Sequence, residues 1–593
     1  MLGSTLINHR QNVGLQKLSA LAGITHSFLG PVKNYKFIQD DGSAESTLVG
    51  SCVRVLENLE LTCATGQLVY ETVQAHQRVY RSGTGLLLFL AGAWSRAALE
   101  CLQRGVPVAQ IISAMSEGME ICSDVFIKCG VLTEGLGADQ SKSSGTTSRS
   151  LHLLRTQSGD DQPAKGSSQR KVKLSRHFCQ PENDSPTRPD VAHVAGRLSH
   201  GCTDAMKLVV EASRMQSNEN PDYLFDASKV VTCALPGLPE DRACVLPGCV
   251  VLVSAEQAAV ARHLTDRPLK VALIRGDLSH AYRHLGYQRP TGVKCVNDRL
   301  DESTSSQEER WMETVVALLL KLDVQLILSG GLASDAASLR CRTRRILVVE
   351  KVPASVLKAL AKATGAVPVA YAAQLNERCV GIGATVALRR HLGSRGGTPL
   401  TTVNVSTGGT CELVSVILTS CVEAKLQALE DRFWACAYRV HHALRDKALL
   451  PGAGATEMLC VRRLLKRAEQ RVPHPGDGKE DSVQHPYGGV VLRLMADGLI
   501  DYVSTVTGNA GTFSHFAART AVIQRLQGGK EGLDPPVESG DTSAGTVYDN
   551  LSVKREAWRK ALDVVFLVLQ ADAEIITGVD HMSDGAQENW MLL

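Results

Sequence analysis

Two blocks of helical periodicity enclose a β-rich middle, and this arrangement restricts the fold more than any other feature of the sequence. From Leu48 to Cys129, apolar residues recur at spacings of three and four through VRVLENLEL, GQLVYETVQ and VAQIISAMSEGMEI. From Cys379 onward we predict a second helical block, which includes VEAKLQALEDRFWACAYRVHHAL and EAWRKALDVVFLVLQADAEII. Because insertions are tolerated where chain ends lie close together, we predict one domain built from both ends of the chain.

The enclosed middle alternates short β-rich runs with helical patterns. After the helical stretch CTDAMKLVVEASRM come the runs CVVLVSA at 249, LKVALIRG at 269, VQLILSGG at 324 and RILVVEKV at 345. Helical patterns such as SVLKALAKATG separate or follow them. This alternation predicts α/β packing, so the fold class is a multidomain α/β protein with an α/β domain inserted into a helical one.

A long polar segment separates the first helical block from the middle. From about Glu134 to Asp190, small and polar residues dominate, as in GADQSKSSGTTSRS and SGDDQPAKGSSQRK. Such a segment cannot bury enough apolar surface to offset its ordering entropy, so we predict a disordered insertion. Two further polar loops, PHPGDGKEDS and GGKEGLDPPVESGDTS, interrupt the second helical block.

Charge and cysteine content exclude several classes of protein. The 593 residues contain 64 Lys and Arg against 61 Asp and Glu, so the formal charge of +3 gives no reason to expect a nucleic-acid partner. The 17 cysteines are scattered without a Cys-x-x-Cys pair, and the closest pairs, Cys122/Cys129 and Cys244/Cys249, lack a second pair at zinc spacing. We therefore expect reduced thiols and no structural metal.

The apolar runs are short. The two longest, Leu86 to Ala93 and Val564 to Leu569, fall well below the roughly 20 residues of a membrane-spanning helix. We expect a soluble, intracellular chain with no membrane insertion.

One Gly-Ser-Thr turn, in YRSGTGLLLFLAGAW from Tyr80 to Trp94, leads directly into an apolar helix. Backbone N–H groups at a helix N-terminus suit an anion, which favours a phosphate. The turn contains neither an acidic residue for a metal nor the Lys of a P-loop. Taken alone, the segment is more typical of a packed helix start than of a nucleotide site.

Other candidate sites carry weaker patterns. GAGATE at Gly452 and GIGATV at Gly381 both lack the third glycine of a dinucleotide-binding loop. No HExxH or GxSxG motif occurs, and a catalytic triad is recognised by geometry rather than by sequence. His441 and His442 are adjacent in a helical stretch, so their side chains point about 100° apart, which favours a surface or packed helix over a shared metal.

With these motifs identified, the chain resembles the group II chaperonins, the cytosolic TCP-1 type, over most of its length. FLGPVKNYKFI resembles the family's Leu-Gly-Pro segment with its downstream Lys, here Gly30, Pro31 and Lys36. YRSGTG resembles the Gly-Asp-Gly-Thr-Thr phosphate loop, and ALLPGAGATE resembles the Pro-Gly-Gly-Gly-Ala-x-Glu motif. LILSGGLASDAASLRCRTRRILVVEKVPASVLKALAKATGA resembles the apical stretch, and VTGNAG near Asn509 resembles the Asn-Ala-Gly of the C-terminal helices.

The resemblance implies a helical equatorial domain from both chain ends, a small intermediate domain and an α/β apical domain. The resulting boundaries follow in chain order: equatorial 1–133, disordered insertion 134–195, intermediate 196–235, apical 236–385, intermediate 386–447, equatorial 448–593. It also implies a nucleotide site, either functional or vestigial, at Gly30, Pro31, Gly83, Thr84, Gly452 and Gly454. ATP is the implied cofactor.

The departures from the family pattern affect catalysis. The family's Asp in the phosphate loop falls on Ser82, its second Thr falls on Gly85, and its hydrolytic Asp falls on Ala435. The middle glycine of the triple-Gly motif is Ala453, and no Thr-Asn-Asp-Gly segment is found, since the DDG at Asp40 follows Lys36 too closely. Hydrolysis needs one carboxylate for the metal and another for the attacking water, which Ser and Ala do not supply. We therefore predict a chaperonin relative without efficient ATP hydrolysis and with no catalytic residues.

The stretches HRQNVGLQKLSALAGITHSFLGP and LVYETVQAHQRVYRSGTGLLLFLAGAW most resemble the divergent chaperonin-like proteins associated with Bardet–Biedl syndrome. This resemblance implies a role in assembling the coat-like complex that carries membrane cargo to cilia. It implies sister chaperonin-like proteins and the cytosolic chaperonin ring as partners, and a location in the cytoplasm, at the centrosome or basal body and at the cilium base. An ATP-driven ring subunit and a scaffold without client specificity remain the alternatives.

Overall fold

The computed structural model divides the chain into two units. The structure describes residues 5–8, 12–39, 46–133, 191–217, 224–265, 267–283, 302–395, 398–407, 413–471, 487–511, 513–528, 547–571 and 573–577. The first unit comprises Met1–Tyr35, Gly50–Gly201 and His442–Leu593, and the second comprises Lys36–Val49 and Cys202–His441. Both ends of the chain therefore build one unit, as the two helical blocks predicted.

Helices dominate the first unit and strands are concentrated in the second. The helices in the described residues are α1 Val13–Gly23, α2 Cys52–Asn58, α3 Ala64–Tyr80, α4 Thr84–Gln103, α5 Val108–Cys129, α6 Val191–Arg197, α7 Thr203–Ser217, α8 Ala255–Leu264, α9 Glu302–Lys321, α10 Asp335–Thr343, α11 Ala354–Thr364, α12 Glu423–Asp446, α13 Ala455–Gln470, α14 Gly488–Asn509, α15 His515–Gln527 and α16 Leu551–Gln570.

The strands are short except for one hairpin in the second unit. They are β1 Thr5–Asn8, β2 Lys36–Gln39, β3 Ser46–Val49, β4 Val131–Leu132, β5 Val230–Pro236, β6 Cys244–Pro247, β7 Cys249–Val253, β8 Leu269–Ile274, β9 Leu326–Ser329, β10 Leu347–Val349, β11 Gly381–Arg395, β12 Thr398–Thr407, β13 Val414–Ser420, β14 Ala448–Pro451, β15 Tyr548–Asn550 and β16 Glu574–Thr577.

Helix α4 forms the centre of the first unit. Its 20 residues are mostly apolar and buried, and α1, α14 and α16 pack around it. The fully buried Trp94 of α4 lies edge-on to Trp558 of α16, with 5.9 Å between ring centroids, and Trp558 also contacts Phe126 of α5 at 4.9 Å. Strands β1 and β16 pair antiparallel, so the two ends of the chain are joined by backbone hydrogen bonds.

By length and composition, α4 could also cross a membrane, although the separate apolar runs in the sequence were too short to indicate this. It is one such helix among the described residues, and 72% of its most apolar window is buried inside the protein. A core helix of a soluble protein passes the same test, so this feature is weak evidence for a membrane span.

The second unit contains two sheets. Strands β5, β13 and β6 form a three-stranded sheet in that order, and β10, β9, β8, β11, β12 and β7 form a six-stranded sheet. Strands β8, β9 and β10 run parallel, and each is preceded along the chain by a helix, α8, α9 and α10 respectively. The predicted α/β packing of the middle is confirmed.

One detail of the sequence prediction is wrong, and one predicted boundary lies within a strand. Helical structure does not return at Cys379, because β11, β12 and β13 occupy 381–420 and helix α12 begins only at Glu423. The predicted apical boundary at 385 lies within β11, which pairs antiparallel with both β8 and β12.

The predicted disordered insertion is also too long at its C-terminal end. Helix α6 begins at Val191 and buries Val194 and Ala195, so apolar contacts order residues that were assigned to the insertion. The rest of that prediction, 134–190, lies outside the described residues, as do most of the two later polar loops. No disulfide joins any two cysteines in the described part of the chain.

Candidate nucleotide site

The Gly-Ser-Thr turn connects α3 to α4 through two residues of left-handed conformation. Arg81 ends α3 at φ 51°, and its N–H donates to the Gln77 carbonyl at 3.0 Å. Gly83 begins α4 at φ 82°, and Thr84 is buried. The first N–H groups of a helix have no intrahelical acceptor, so the start of α4 presents backbone donors together with the positive end of the helix dipole.

A buried histidine donates a hydrogen bond to the backbone of the turn. His76 of α3 lies 3.0 Å from the Ser82 carbonyl oxygen through Nε2, which therefore carries the proton and donates. A Cβ on Gly83 would lie 3.1 Å from this Nε2 and 2.8 Å from Cγ1 of Val553, so only glycine fits there without a shift. Burial, followed by the charge of Lys560, lowers the pKa of His76 to about 4, and the ring is neutral at physiological pH.

The hydroxyl of Ser82 forms a hydrogen bond within the turn. It donates to the Tyr80 carbonyl at 3.2 Å, and Ser82 is buried. The turn residues 81–85 carry no carboxylate.

The Leu-Gly-Pro segment lies beside the start of α4. A Cβ on Gly85 would be 3.1 Å from Leu29, and Gly30 takes φ 90° against α14. Asn509, the last residue of α14, donates through Nδ2 to the Leu29 carbonyl at 3.0 Å and to the His26 carbonyl at 2.9 Å. Gly201 packs against the Pro31 carbonyl so closely that a Cβ would overlap it.

The Gly-Ala-Gly turn begins α13 in the same way as Gly83 begins α4. The Gly452 N–H donates to the Val547 carbonyl at 2.8 Å, and Gly454 begins the helix at φ 84°. Ala453 adopts φ 53°, a left-handed conformation that costs a residue with a Cβ about 1 kcal/mol or more. The backbone keeps the turn although the middle glycine is absent.

A buried ion-pair network links this turn to α16. Lys554 Nζ lies 2.6 Å from Glu457 of α13 and 2.7 Å from Asp549, with Lys554 and Glu457 both nearly inaccessible to solvent. Burial alone would lower the pKa of Lys554, but Asp549 and Glu457 outweigh this effect and raise it. His200 reaches the same network, 2.7 Å from the Tyr548 carbonyl and 3.3 Å from Asp549.

The first turn of α16 therefore contacts both turns that contain glycine, the one before α4 and the one before α13. Val553 lies behind Gly83, and the next residue, Lys554, binds Glu457 three residues after Gly454. The predicted residues Gly30, Pro31, Gly83, Thr84, Gly452 and Gly454 all belong to the first unit.

Three other predicted positions fall either in the second unit or outside the described residues. Ala435 is half-buried on α12 within the second unit, and its methyl group cannot orient water. Lys36 begins β2, also in the second unit, and Asp40 lies outside the described residues.

His441 and His442 are parts of a packed helix, as expected. His441 contacts the Phe225 carbonyl at 3.3 Å, and the buried His442 ring lies 5.3 Å from the Tyr80 ring.

Sequence reasoning missed His76, Gly201, Val553 and Lys554. Lys554 offered a signal, because it stands on the apolar face of α16 that also carries Trp558 and Ala561. A charged residue on such a face requires a buried partner. His76 offered no such signal, since a histidine in a helix more often lies at the surface or in the core than beside a binding site.

The residues at the start of α4 fit a nucleotide phosphate but do not fit the metal that accompanies it. Gly83, Thr84 and the backbone amides of the first turn, which have no intrahelical acceptor, would hold the phosphate. Mg²⁺ is bound through carboxylates, and Ser82 offers only a hydroxyl that is already donating to Tyr80. Among the residues that the structure describes, no three His, Cys, Asp or Glu side chains gather as a metal site.

The fold and these motifs define the class of protein. Residues 186–578 match the model of the TCP-1/cpn60 chaperonin family, and the chain belongs to that family. The predicted chaperonin-like architecture, with a helical domain from both chain ends and inserted domains, is confirmed.

Among curated proteins, the chain is similar to "Chaperonin-containing T-complex member BBS12" from several vertebrates. It is 33% identical to the protein of Homo sapiens, with 99% of each chain covered, and 34% identical to that of Mus musculus, with 98% of each covered. It is also 20% identical to T-complex protein 1 subunit gamma of Homo sapiens, over 97% of this chain and 93% of that protein. The chain is therefore a chaperonin-like protein, and the resemblance drawn from the sequence is confirmed.

The buried neutral His76 predicts a pH dependence of stability. Its pKa is about 4 in the folded protein and 6.5 in the unfolded chain, so the unfolded chain binds more protons between these values. The contribution of neutral His76 to the free energy of unfolding is fully present above pH 6.5 and is lost as the pH falls toward 4. The loss is about 2 kcal/mol between pH 7 and pH 5. Urea unfolding of the chain at both pH values should show this loss, and His76→Gln should remove it.

The matched control is His193→Gln, which replaces an exposed histidine of the same unit. It should keep the pH dependence of the unaltered chain. An equal loss of stability in the His76→Gln variant would show that another group is responsible.

Proposed function

We propose that this chain is a chaperonin-like assembly factor that binds ATP without hydrolysing it efficiently. The observation that carries the proposal is the turn before α4, where Gly83 at φ 82° and Thr84 begin a helix whose first N–H groups suit an anion, and where Ser82 stands at the position of the family's Asp. At the second catalytic position, Ala435 has no group that could orient water. Removing such groups from an active site usually costs orders of magnitude in rate.

The proposed task is assembly of the coat-like ciliary cargo complex, the BBSome. Support comes from similarity over nearly the whole chain to relatives that are named as members of the chaperonin-containing T-complex. The proposed partners are sister chaperonin-like proteins, the cytosolic TCP-1 ring and the client subunits of the coat. The proposed locations are the cytoplasm, the centrosome or basal body and the base of the cilium.

The hydrolysis part is tested on the purified full-length chain by equilibrium ATP binding and steady-state phosphate release. We expect binding with phosphate release at background, and a loss of affinity of about tenfold in Thr84→Ala, since its hydroxyl would lie beside a phosphate bound at the start of α4. A variant with Ser82→Asp and Ala435→Asp restores both carboxylates and reports whether the rest of the site is competent.

Turnover by the unaltered chain that disappears in Thr84→Ala would contradict the proposal. That result would favour the alternative, an ATP-hydrolysing ring subunit. Thermal unfolding of each variant without nucleotide separates loss of binding from loss of folding.

The assembly part is tested by affinity purification of the tagged full-length chain from ciliated cells. We expect coat subunits, chaperonin-like partners and TCP-1 ring subunits in one complex. Recovery of the chain as a homomeric ring, or equal recovery of unrelated unfolded proteins, would contradict a specific assembly role. The second outcome would favour a scaffold without client specificity.

A further inference from the structure

The N-terminal edge of three parallel strands in the second unit carries a concentration of arginine. Because β8, β9 and β10 are parallel neighbours, the connections that lead into them meet at one edge of the sheet. These connections follow α8, α9 and α10, so three helix C-termini converge there. We define the basic edge as six exposed cationic residues in the last turns of these helices and in the connections that follow them: Arg262, Arg267, Lys321, Arg340, Arg344 and Arg345.

The cations of the basic edge are not neutralised within the described part of the chain. None of the six makes an ion pair with another described residue. The acidic residues nearby are already used, since Glu256 binds Arg342 and Asp323 lies 3.4 Å from Lys270. The sequence of these connections adds one further acid, Asp266. The whole chain has a formal charge of only +3, so the positive charge of this edge is local.

Stabilisation of the helix ends does not account for all of these residues. Cations favour a helix C-terminus, but the effect falls off within the last turn. Arg267, Arg344 and Arg345 lie beyond the last residues of α8 and α10. Arg345 also adopts φ 60°, where glycine is the favoured residue after a helix. The backbone N–H of Arg345 donates to the Arg342 carbonyl at 3.0 Å, but its guanidinium makes no ion pair with another described residue that would offset the cost of this conformation.

The chemistry of the edge favours a carboxylate partner. Guanidinium groups bind carboxylates through paired hydrogen bonds, and five of the six residues are arginine. The three strands span about 10 Å, which matches roughly three residues of an extended peptide. The connections contain no Phe, Tyr or Trp on which nucleic-acid bases could stack.

We propose that the basic edge binds an acidic segment of a partner protein, rich in Asp or Glu. The surface belongs to the second unit and uses none of the residues of the nucleotide site. The proposal therefore does not depend on whether the chain binds or hydrolyses ATP.

The test is fluorescence anisotropy of a labelled peptide of ten glutamates with the full-length chain, beside a neutral peptide of equal length. The double variant Arg344→Glu/Arg345→Glu should weaken decaglutamate binding about tenfold or more, because two attractive charges become repulsive. The single variant Arg345→Gly should weaken it about threefold while stability stays equal or rises, because φ 60° suits glycine. This variant removes the charge without a cost in folding.

The matched control is Arg463→Glu/Lys466→Glu, which makes the same charge change on the exposed face of α13 in the first unit. Its affinity for decaglutamate should stay within about twofold of the unaltered chain. The proposal is overturned if the unaltered chain does not bind decaglutamate, or if the control weakens binding as much as the double variant. Tighter binding of a ten-nucleotide single-stranded DNA than of decaglutamate would overturn it in favour of a nucleic-acid surface.

Discussion

The buried ion pair between Lys554 and Glu457 is the interaction on which the candidate nucleotide site depends. It joins the first turn of α13 to the first turn of α16, and Asp549 and His200 extend it. Removing one partner of such a pair typically costs 3–5 kcal/mol, because the other charge remains buried and uncompensated. Since Val553 adjoins Lys554 and lies behind Gly83, the pair also fixes the distance between the two glycine turns.

The geometry of the site therefore rests on groups other than the catalytic carboxylates. His76 supports the turn through a backbone carbonyl, and Asn509 holds the Leu-Gly-Pro segment through two more. Serine at 82 satisfies its own hydroxyl within the turn, so the carboxylate can be absent without leaving a buried polar group unmatched. Ala453 shows that the fold also tolerates a strained residue where glycine is expected. The backbone of the turn is therefore held without a carboxylate at Ser82.

Much of the fold could be predicted from the sequence, because periodicity and composition report local structure. The helical blocks, the α/β middle and the joining of both chain ends followed from apolar spacing. The start of β11 could not be predicted in this way, because GIGATVALRR contains small residues and ends in charges. It is a strand because it pairs with β8 and β12. Helix α6 was missed because its apolar residues are few and follow a long polar segment.

The site was predictable only in part. The resemblance to the chaperonin motifs gave Gly30, Gly83 and Gly454, and all three adopt a positive φ in the structure. The residues that support the turn left almost no signal in the sequence. The role of His76, for example, depends on a contact with Ser82 that exists only in the folded chain. The basic edge was equally hidden, because its residues come from three separate connections that only the sheet topology brings together.

The central claim is that a nucleotide site persists without its metal-binding carboxylate. The most direct test is the ATP affinity of the full-length chain in excess Mg²⁺ and in excess chelator. The account predicts affinities within about twofold of each other for the unaltered chain, and a gain of about tenfold with Mg²⁺ in Ser82→Asp. An unaltered chain that binds ATP only when Mg²⁺ is present would contradict it.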